Sequence, residues 1–128
     1  MFSGCTNLTN VHELPAETLT KYCYYEMFKN CTSLQTLPEG LLPATTLASN
    51  CYEGMFSGCT GLTSIPEGLL PATNLANNCY EYMFANNSYI AYTPGLPAEN
   101  LAEDCYIYMF KNCNKLASVN FSGNTIGL

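Results

Sequence analysis

The eight cysteines of this sequence are its main candidates for a chemical role, because thiols form disulfides and bind metal ions. They fall into two series around a recurring Met-Phe pair. The first stands four residues before the pair and the second four residues after its Met: Cys23, Cys51, Cys79 and Cys105, and Cys5, Cys31, Cys59 and Cys113. Two cysteines of one unit, such as Cys51 and Cys59, would lie about 12 Å apart in a helix, which exceeds disulfide reach.

Neighbouring copies of each series pose a separate question. Copies of the first series should be held apart by helix packing, at about 8–10 Å. The second series lies nearer to the predicted strands and could approach bridging distance, so bridged cysteines and buried apolar thiols both stay open there. The chain has no CxxC motif and one histidine, so we predict no metal site and no cofactor.

Position 87 interrupts the second series with Asn87. An asparagine cannot replace a thiol in a disulfide or as a thiolate ligand, but it can replace one as a hydrogen-bonding partner of the main chain. We therefore expect this position to turn inward and to satisfy nearby main-chain groups, Asn doing so more strongly than Cys.

The rest of the sequence argues against catalysis and against binding to nucleic acids or membranes. The single histidine, His12, stands in a predicted loop without specified partners, and no phosphate-binding glycine loop occurs, so we predict that the chain is not an enzyme. A net charge of -6 disfavours nucleic acids and anionic membrane surfaces. No apolar run approaches the roughly 20 residues of a membrane helix, and the first residues lack the regions of a signal peptide.

Ten tyrosines stand beside these groups. One set follows the first cysteine series directly and should flank the core with its hydroxyls in water: Tyr24, Tyr52, Tyr80 and Tyr106. Another set varies between units, should be exposed and could contact a partner: Tyr22, Tyr25, Tyr82 and Tyr108.

An internal repeat must position all of these residues. Met-Phe pairs begin at positions 1, 27, 55, 83 and 109, which gives spacings of 26, 28, 28 and 26 residues. We predict one repeat domain over 1–128, with units near 1–26, 27–54, 55–82 and 83–108 and a partial unit at 109–128. The Met-Phe pairs should form one aligned interior row.

Each unit predicts one helix and one short strand. The apolar residues Leu47, Cys51, Met55 and Phe56 fall on one helical stripe that begins after Thr46 as the N-cap. Glycine or asparagine would end each helix in the left-handed conformation: Gly4, Asn30, Gly58, Asn86 and Asn112. Segments such as 62–65 then predict short strands. The predicted fold is an α/β leucine-rich-repeat solenoid, with short parallel strands on the concave face and one short helix per 26–28-residue repeat on the convex face.

The tracts MFSGCTGLTSIP, MFKNCTSLQTLP and MFKNCNKLASVN resemble the BspA-type leucine-rich repeats of bacterial surface proteins. The resemblance covers nearly the whole chain, although the added LPATTL-type segment departs from the short family unit. It implies a cell-surface or secreted protein engaged in adhesion and host interaction.

From the strand face we predict a non-catalytic protein-binding or adhesion module, with a protein or glycan ligand and Tyr92 as the aromatic anchor. The alternatives are a structural spacer without a ligand and a carbohydrate-binding module. Open ends of the stack could also support self-association. The candidate binding face comprises Thr9, Asn10, Gln35, Thr36, Thr63, Ser64, Tyr92 and Ser118.

Overall fold

The computed structural model describes the backbone of residues 1–121 and 124–127 and the side chains of residues 1–121. Within that part, the regular elements are two strands, β1 (Ser118–Phe121) and β2 (Asn124–Gly127). They pair antiparallel, with Ser118 opposite Gly127 and Phe121 opposite Asn124. The described residues contain no helix.

The predicted α/β leucine-rich-repeat solenoid is therefore wrong, and the description of the chain as a helix-and-strand repeat protein is wrong with it. In place of the predicted parallel sheet, the described residues form isolated parallel bridges: Thr46 with Asn74, Ser64 with Tyr92, Asn74 with Asn100, and Leu96 with Phe121. The predicted concave strand face is wrong as well, because its curvature would require helices that pack more widely than the strands.

Four turn rows occupy the places of the predicted helices, at residues 21–30, 49–58, 77–86 and 103–112. Main-chain hydrogen bonds join each row to the next. The amide of Phe28 donates to Met55 O at 3.0 Å, and the amide of Phe56 donates to Met83 O at 2.9 Å. The third row is joined to the fourth in the same way. Equivalent positions of successive rows therefore lie side by side.

Alternate residues of a turn row use their amides differently. Tyr25 N donates to Tyr22 O three residues back, and Met27 N donates to Tyr24 O. The residues between them donate to the next row, as Tyr24 N does to Cys51 O and Glu26 N to Glu53 O. In an α-helix every interior amide donates to the residue four positions back. A helix would therefore leave no amide for the neighbouring row.

A left-handed residue at every fourth position makes this arrangement possible. The first row has Tyr22, Glu26 and Asn30 at φ of 61°, 48° and 60°. A positive φ suits the third residue of a type II turn, whereas in a helix it marks only the end. The equivalent residues of the other rows are also left-handed: Asn50, Gly54 and Gly58; Asn78, Tyr82 and Asn86; Asp104, Tyr108 and Asn112.

The helix prediction failed because a four-residue turn period resembles a 3.6-residue helical period over a short window. Cys51, Met55 and Cys59 recur every four residues, and all three are fully buried. The residues expected to end helices do have positive φ, as at Gly4 (75°) and Gly58 (72°). They end no helix, and within the four turn rows each such residue is one of three left-handed positions.

The interior contains two columns of stacked aromatic rings. Phe2, Phe28, Phe56, Phe84 and Phe110 stack in order, with centroids 5.6, 5.6, 5.6 and 6.0 Å apart. Met55, Met83 and Met109 are buried beside them. The expected aligned interior row of Met-Phe pairs is confirmed, although Met1 is 92% exposed.

The second column comprises Tyr24, Tyr52, Tyr80 and Tyr106, with centroids 5.7–6.1 Å apart. Tyr52 and Tyr80 are 2% and 1% exposed, so these side chains belong to the core itself and do not merely flank it. Phe121 of β1 meets Tyr106 edge-on at 5.1 Å. β1 is attached to the preceding segment, since Leu96 N donates to Asn120 O at 2.8 Å.

Asn87 turns inward as expected. Its Nδ2 donates to Phe56 O at 2.9 Å and to Phe84 O at 2.8 Å. The thiols of Cys59 and Cys113 each make one such bond, to Phe28 O at 3.0 Å and to Phe84 O at 3.1 Å. Position 87 and the second cysteine series thus share one function, which is to bond the main chain of the aromatic column. Asn87 Oδ1 is buried without a partner among the described residues.

We expect Asn87→Leu to destabilise the fold by about 1–3 kcal/mol, because it removes both buried hydrogen bonds to main-chain carbonyls. Asn87→Cys should lie within about 1 kcal/mol of the parent, since Cys59 and Cys113 show that a thiol fits this position. Urea unfolding followed by circular dichroism measures both changes. Equal stability of the two variants would contradict the shared function of this position.

Gly61 marks a close approach between neighbouring segments. A Cβ atom there would lie 2.6 Å from Thr32 O and 2.9 Å from Leu34 O, both of which are main-chain atoms. Gly95 offers a matched control, because the nearest atom to a Cβ there is Asn120 Nδ2 at 4.0 Å.

Gly61→Ala should therefore cost about 1–3 kcal/mol, since the main chain of two segments must separate. Gly95→Ala should change the free energy of unfolding by less than about 0.5 kcal/mol. Thermal and urea unfolding of the two variants provide the comparison. A Gly61→Ala variant as stable as Gly95→Ala would show that the segments are packed less closely than described.

Candidate functional site

The predicted binding face is largely exposed. Of its eight residues, only Ser118 is half-buried, where β1 begins, and the other seven are exposed. Tyr92 is the most prominent, with 75% of its surface in solvent. The structure thus leaves these side chains free for contact, while their role in binding stays a prediction.

Hydrogen bonds and main-chain bridges connect some residues of the predicted binding face. Ser64 and Tyr92 form a parallel bridge, and Ala91 N donates to Thr63 O at 3.3 Å. Asn10 Nδ2 donates to Thr9 Oγ1 at 3.3 Å. The side chains of Gln35 and Thr36 make no hydrogen bond within the described part of the chain. Main-chain pairing between neighbouring segments therefore supports the face around Ser64 and Tyr92.

Sequence reasoning missed a groove across the turn rows, with a volume of about 380 Å³. Gly54 and Ser57 of the second row form its floor. Tyr25 and Glu26 of the first row stand on one side, and Tyr82 of the third row stands on the other. We call this set the tyrosine groove. The signal in the sequence was the glycine at position 54, where the other rows carry Glu26, Tyr82 or Tyr108. Ser57 adds to it, because the first and fourth rows carry lysines at that position, although the third carries Ala85.

Of the four variable tyrosines, Tyr25 and Tyr82 line this groove. Tyr22, Tyr25 and Tyr108 are exposed as predicted, whereas Tyr82 is half-buried because its ring stacks on Tyr108 at 5.1 Å. Lysines lie over several tyrosine rings: Lys21 over Tyr22 at 5.4 Å, Lys111 over Tyr108 at 5.2 Å and Lys115 over Tyr89 at 5.0 Å. The exposed rings are thus partly covered by the chain's own cations.

The tyrosine groove is lined by two acidic side chains and one basic side chain. Lys29 Nζ pairs with Glu26 Oε1 at 2.8 Å, and this hydrogen bond raises the pKa of Lys29. Glu53 has no cationic partner among the described residues, although Asn50 Nδ2 donates to its carboxylate. Burial, helped by the charges of Glu81 and Glu26, raises the pKa of Glu53. A carboxylate without a counter-charge therefore stands beside the groove floor.

All eight cysteines are free thiols, which answers the open question about the second series. The spacing argument behind the first series was wrong, because main-chain hydrogen bonds place neighbouring rows at strand spacing and not at helix spacing. Burial raises the pKa of Cys51, Cys59 and Cys79 to about 12. These thiols are protonated at neutral pH, and the described residues contain no group of three or more metal-ligating side chains.

We expect an alkylating reagent to modify Cys5 and Cys23 in the folded protein at pH 8, because these two cysteines are exposed. The six buried cysteines should react only after unfolding, since they are shielded from the reagent. Intact mass spectrometry would count the adducts, with a sample in guanidinium chloride as the control. Rapid native modification at Cys51 or Cys79 would contradict the burial described.

An apolar cavity of about 410 Å³ lies near the first residues, lined by Phe2, Leu8, Val11, Leu14 and Met27 among others. An exposed apolar cavity of this kind suits the predicted self-association, which stays a prediction. The described part of the chain holds no helix long and apolar enough to cross a membrane.

Comparison of the chain with family models, with characterised proteins and with solved structures gave no match. The resemblance to BspA-type surface proteins accordingly stays a prediction, although the helical and parallel-sheet architecture predicted from the repeat is wrong.

Proposed function

We propose that the chain is a non-catalytic protein-binding module of the adhesive kind, and that it binds through the face around Ser64 and Tyr92. The observation that carries this proposal is the 75% exposure of the Tyr92 side chain. Tyrosine is enriched among the residues that dominate binding energy, because its ring supplies a large contact area at low entropic cost.

The neighbours of Tyr92 support binding more than catalysis. The face presents hydroxyl and amide side chains, such as Gln35, Thr63 and Ser64, which donate and accept hydrogen bonds. These groups do not ionise near neutral pH, whereas most hydrolytic chemistry needs a general base. A polar surface around one exposed aromatic ring matches the rim and anchor of a protein interface.

The place of action follows from the resemblance alone. We propose a bacterial cell-surface or secreted protein, because tracts such as MFSGCTGLTSIP resemble repeats of adhesive surface proteins. A carbohydrate-binding module and a spacer without a ligand are the competing proposals. The three proposals predict different binding: the first to immobilised proteins, the carbohydrate module to immobilised glycans, and the spacer to neither.

The test uses the folded chain on immobilised extracellular-matrix proteins (collagen, laminin and fibronectin) and on a glycan array. We expect saturable binding to at least one of the proteins and at least about a tenfold loss of affinity for Tyr92→Ala. Tyr22→Ala is the matched control, because Tyr22 is 50% exposed but stands in a turn row away from the face. Its affinity should be unchanged.

Three outcomes would overturn the proposal. Background signal on every surface would favour the spacer, and binding on the glycan array alone would favour the carbohydrate module. Protein binding that Tyr92→Ala leaves intact would move the contact to another surface.

A further inference from the structure

The tyrosine groove interrupts a column of side chains. The left-handed positions 26, 54, 82 and 108 of the four turn rows are equivalent, and they carry Glu26, Gly54, Tyr82 and Tyr108. The rings of Tyr82 and Tyr108 stack with 28° between their planes. Gly54 has no side chain to continue the stack, so Tyr82 borders the groove on the side of Gly54.

The size of the interruption fits one flat group. Stacked rings in adjacent rows of this protein are 5.1–6.1 Å apart. A planar group placed over Gly54 would therefore lie at stacking distance from Tyr82, as Tyr108 does from the opposite side. The groove volume of about 380 Å³ admits a side chain of that kind.

The charge around the groove favours a cation. Glu53 adjoins Gly54 and has no cationic partner within the described residues, while Glu26 is already paired with Lys29. Glu81 adds a further negative charge near Glu53. Lys111 lies closer to the Tyr108 ring (5.2 Å) than to the Tyr82 ring (6.0 Å), so it does not occupy the Gly54 side of Tyr82.

A guanidinium combines both properties. It is planar, carries a permanent positive charge, stacks on aromatic faces and donates to carboxylates in a fixed fork. A lysine ammonium carries the charge but cannot stack as a plane, and a neutral aromatic ring would stack without any gain from Glu53. The sequence itself contains no arginine, since its four basic residues are Lys21, Lys29, Lys111 and Lys115.

We propose that the tyrosine groove is a second binding site, distinct from the face around Tyr92, and that it receives an arginine side chain of a partner protein. The guanidinium stacks on Tyr82 above Gly54 and donates hydrogen bonds to the carboxylate of Glu53.

The test titrates the ¹⁵N-labelled chain with three acetylated and amidated tripeptides, Gly-Arg-Gly, Gly-Lys-Gly and Gly-Tyr-Gly. We expect the arginine peptide to shift the amide signals of Gly54, Ser57 and Tyr82 saturably. The lysine and tyrosine peptides should bind at least about fivefold more weakly, because each lacks one of the two properties. Binding of the arginine peptide should weaken as salt is raised.

Gly54→Tyr is the decisive variant, because it fills the gap from within. Tyr82 and Tyr108 adopt φ of 54° and 53° at the equivalent positions, so a tyrosine at the 61° of Gly54 is compatible with the fold. The added Cβ would lie 3.0 Å from Glu26 Cγ, 3.6 Å from its Oε1 and 3.8 Å from its Cδ, so this one flexible side chain must shift to admit it. We expect at least about a tenfold loss of arginine-peptide affinity with the melting transition retained.

Two further variants keep the proposal falsifiable if Gly54→Tyr fails to fold. Glu53→Gln should lower the affinity about threefold or more and reduce its salt dependence, and Tyr82→Leu should lower it further. Tyr92→Ala is the control and should leave the affinity unchanged, which separates this site from the face around Tyr92. Equal binding of the lysine peptide, unaltered binding by folded Gly54→Tyr, or shifts that never saturate would each overturn the proposal.

Discussion

The alternating use of main-chain amides within the turn rows is the constraint on which the rest of the structure depends. One amide closes a turn to the residue three positions back, and the next bonds the neighbouring row. A left-handed residue at every fourth position permits this alternation, even where it is tyrosine or glutamate and not glycine. Such a conformation costs about 1 kcal/mol or more for each such residue. The hydrogen bonds between rows satisfy groups whose burial would otherwise cost a similar amount each.

Close stacking of equivalent rows then fixes what the core can contain. Because the same aromatic residue recurs at two core positions of every row, rings meet rings, and the Phe and Tyr columns follow directly. The thiols of Cys31, Cys59 and Cys113 and the amide of Asn87 bond carbonyls of the Phe column. The buried cysteines of the second series thus serve as small inward-facing donors. This accounts for free thiols in a chain whose cysteine count suggested a disulfide framework.

Departures from the repeat shape the surface. Gly54 stands where the other rows carry glutamate or tyrosine, and the result is a groove bordered by tyrosines and by Glu53, which has no cationic partner among the described residues. Tyr92 stands where other copies carry Asn10, Thr36 or Ser64, and 75% of its surface is in solvent. Both proposed contacts therefore arise where one row differs from its neighbours.

The sequence by itself determined the period, the alignment of the Met-Phe pairs and the burial of the central ones, the inward turn of Asn87, the exposure of Tyr92 and the left-handed conformation at positions such as Asn30 and Gly58. Each of these depends on residue type and on recurrence along the chain. Only the tertiary structure decided between helix and turn row. Cys51, Met55 and Cys59 fit a period of four about as well as one of 3.6 over so few residues, and the choice lies in hydrogen bonds to another segment. The tyrosine groove was hidden for the same reason, because Tyr25, Gly54 and Tyr82 become neighbours only when three rows lie side by side.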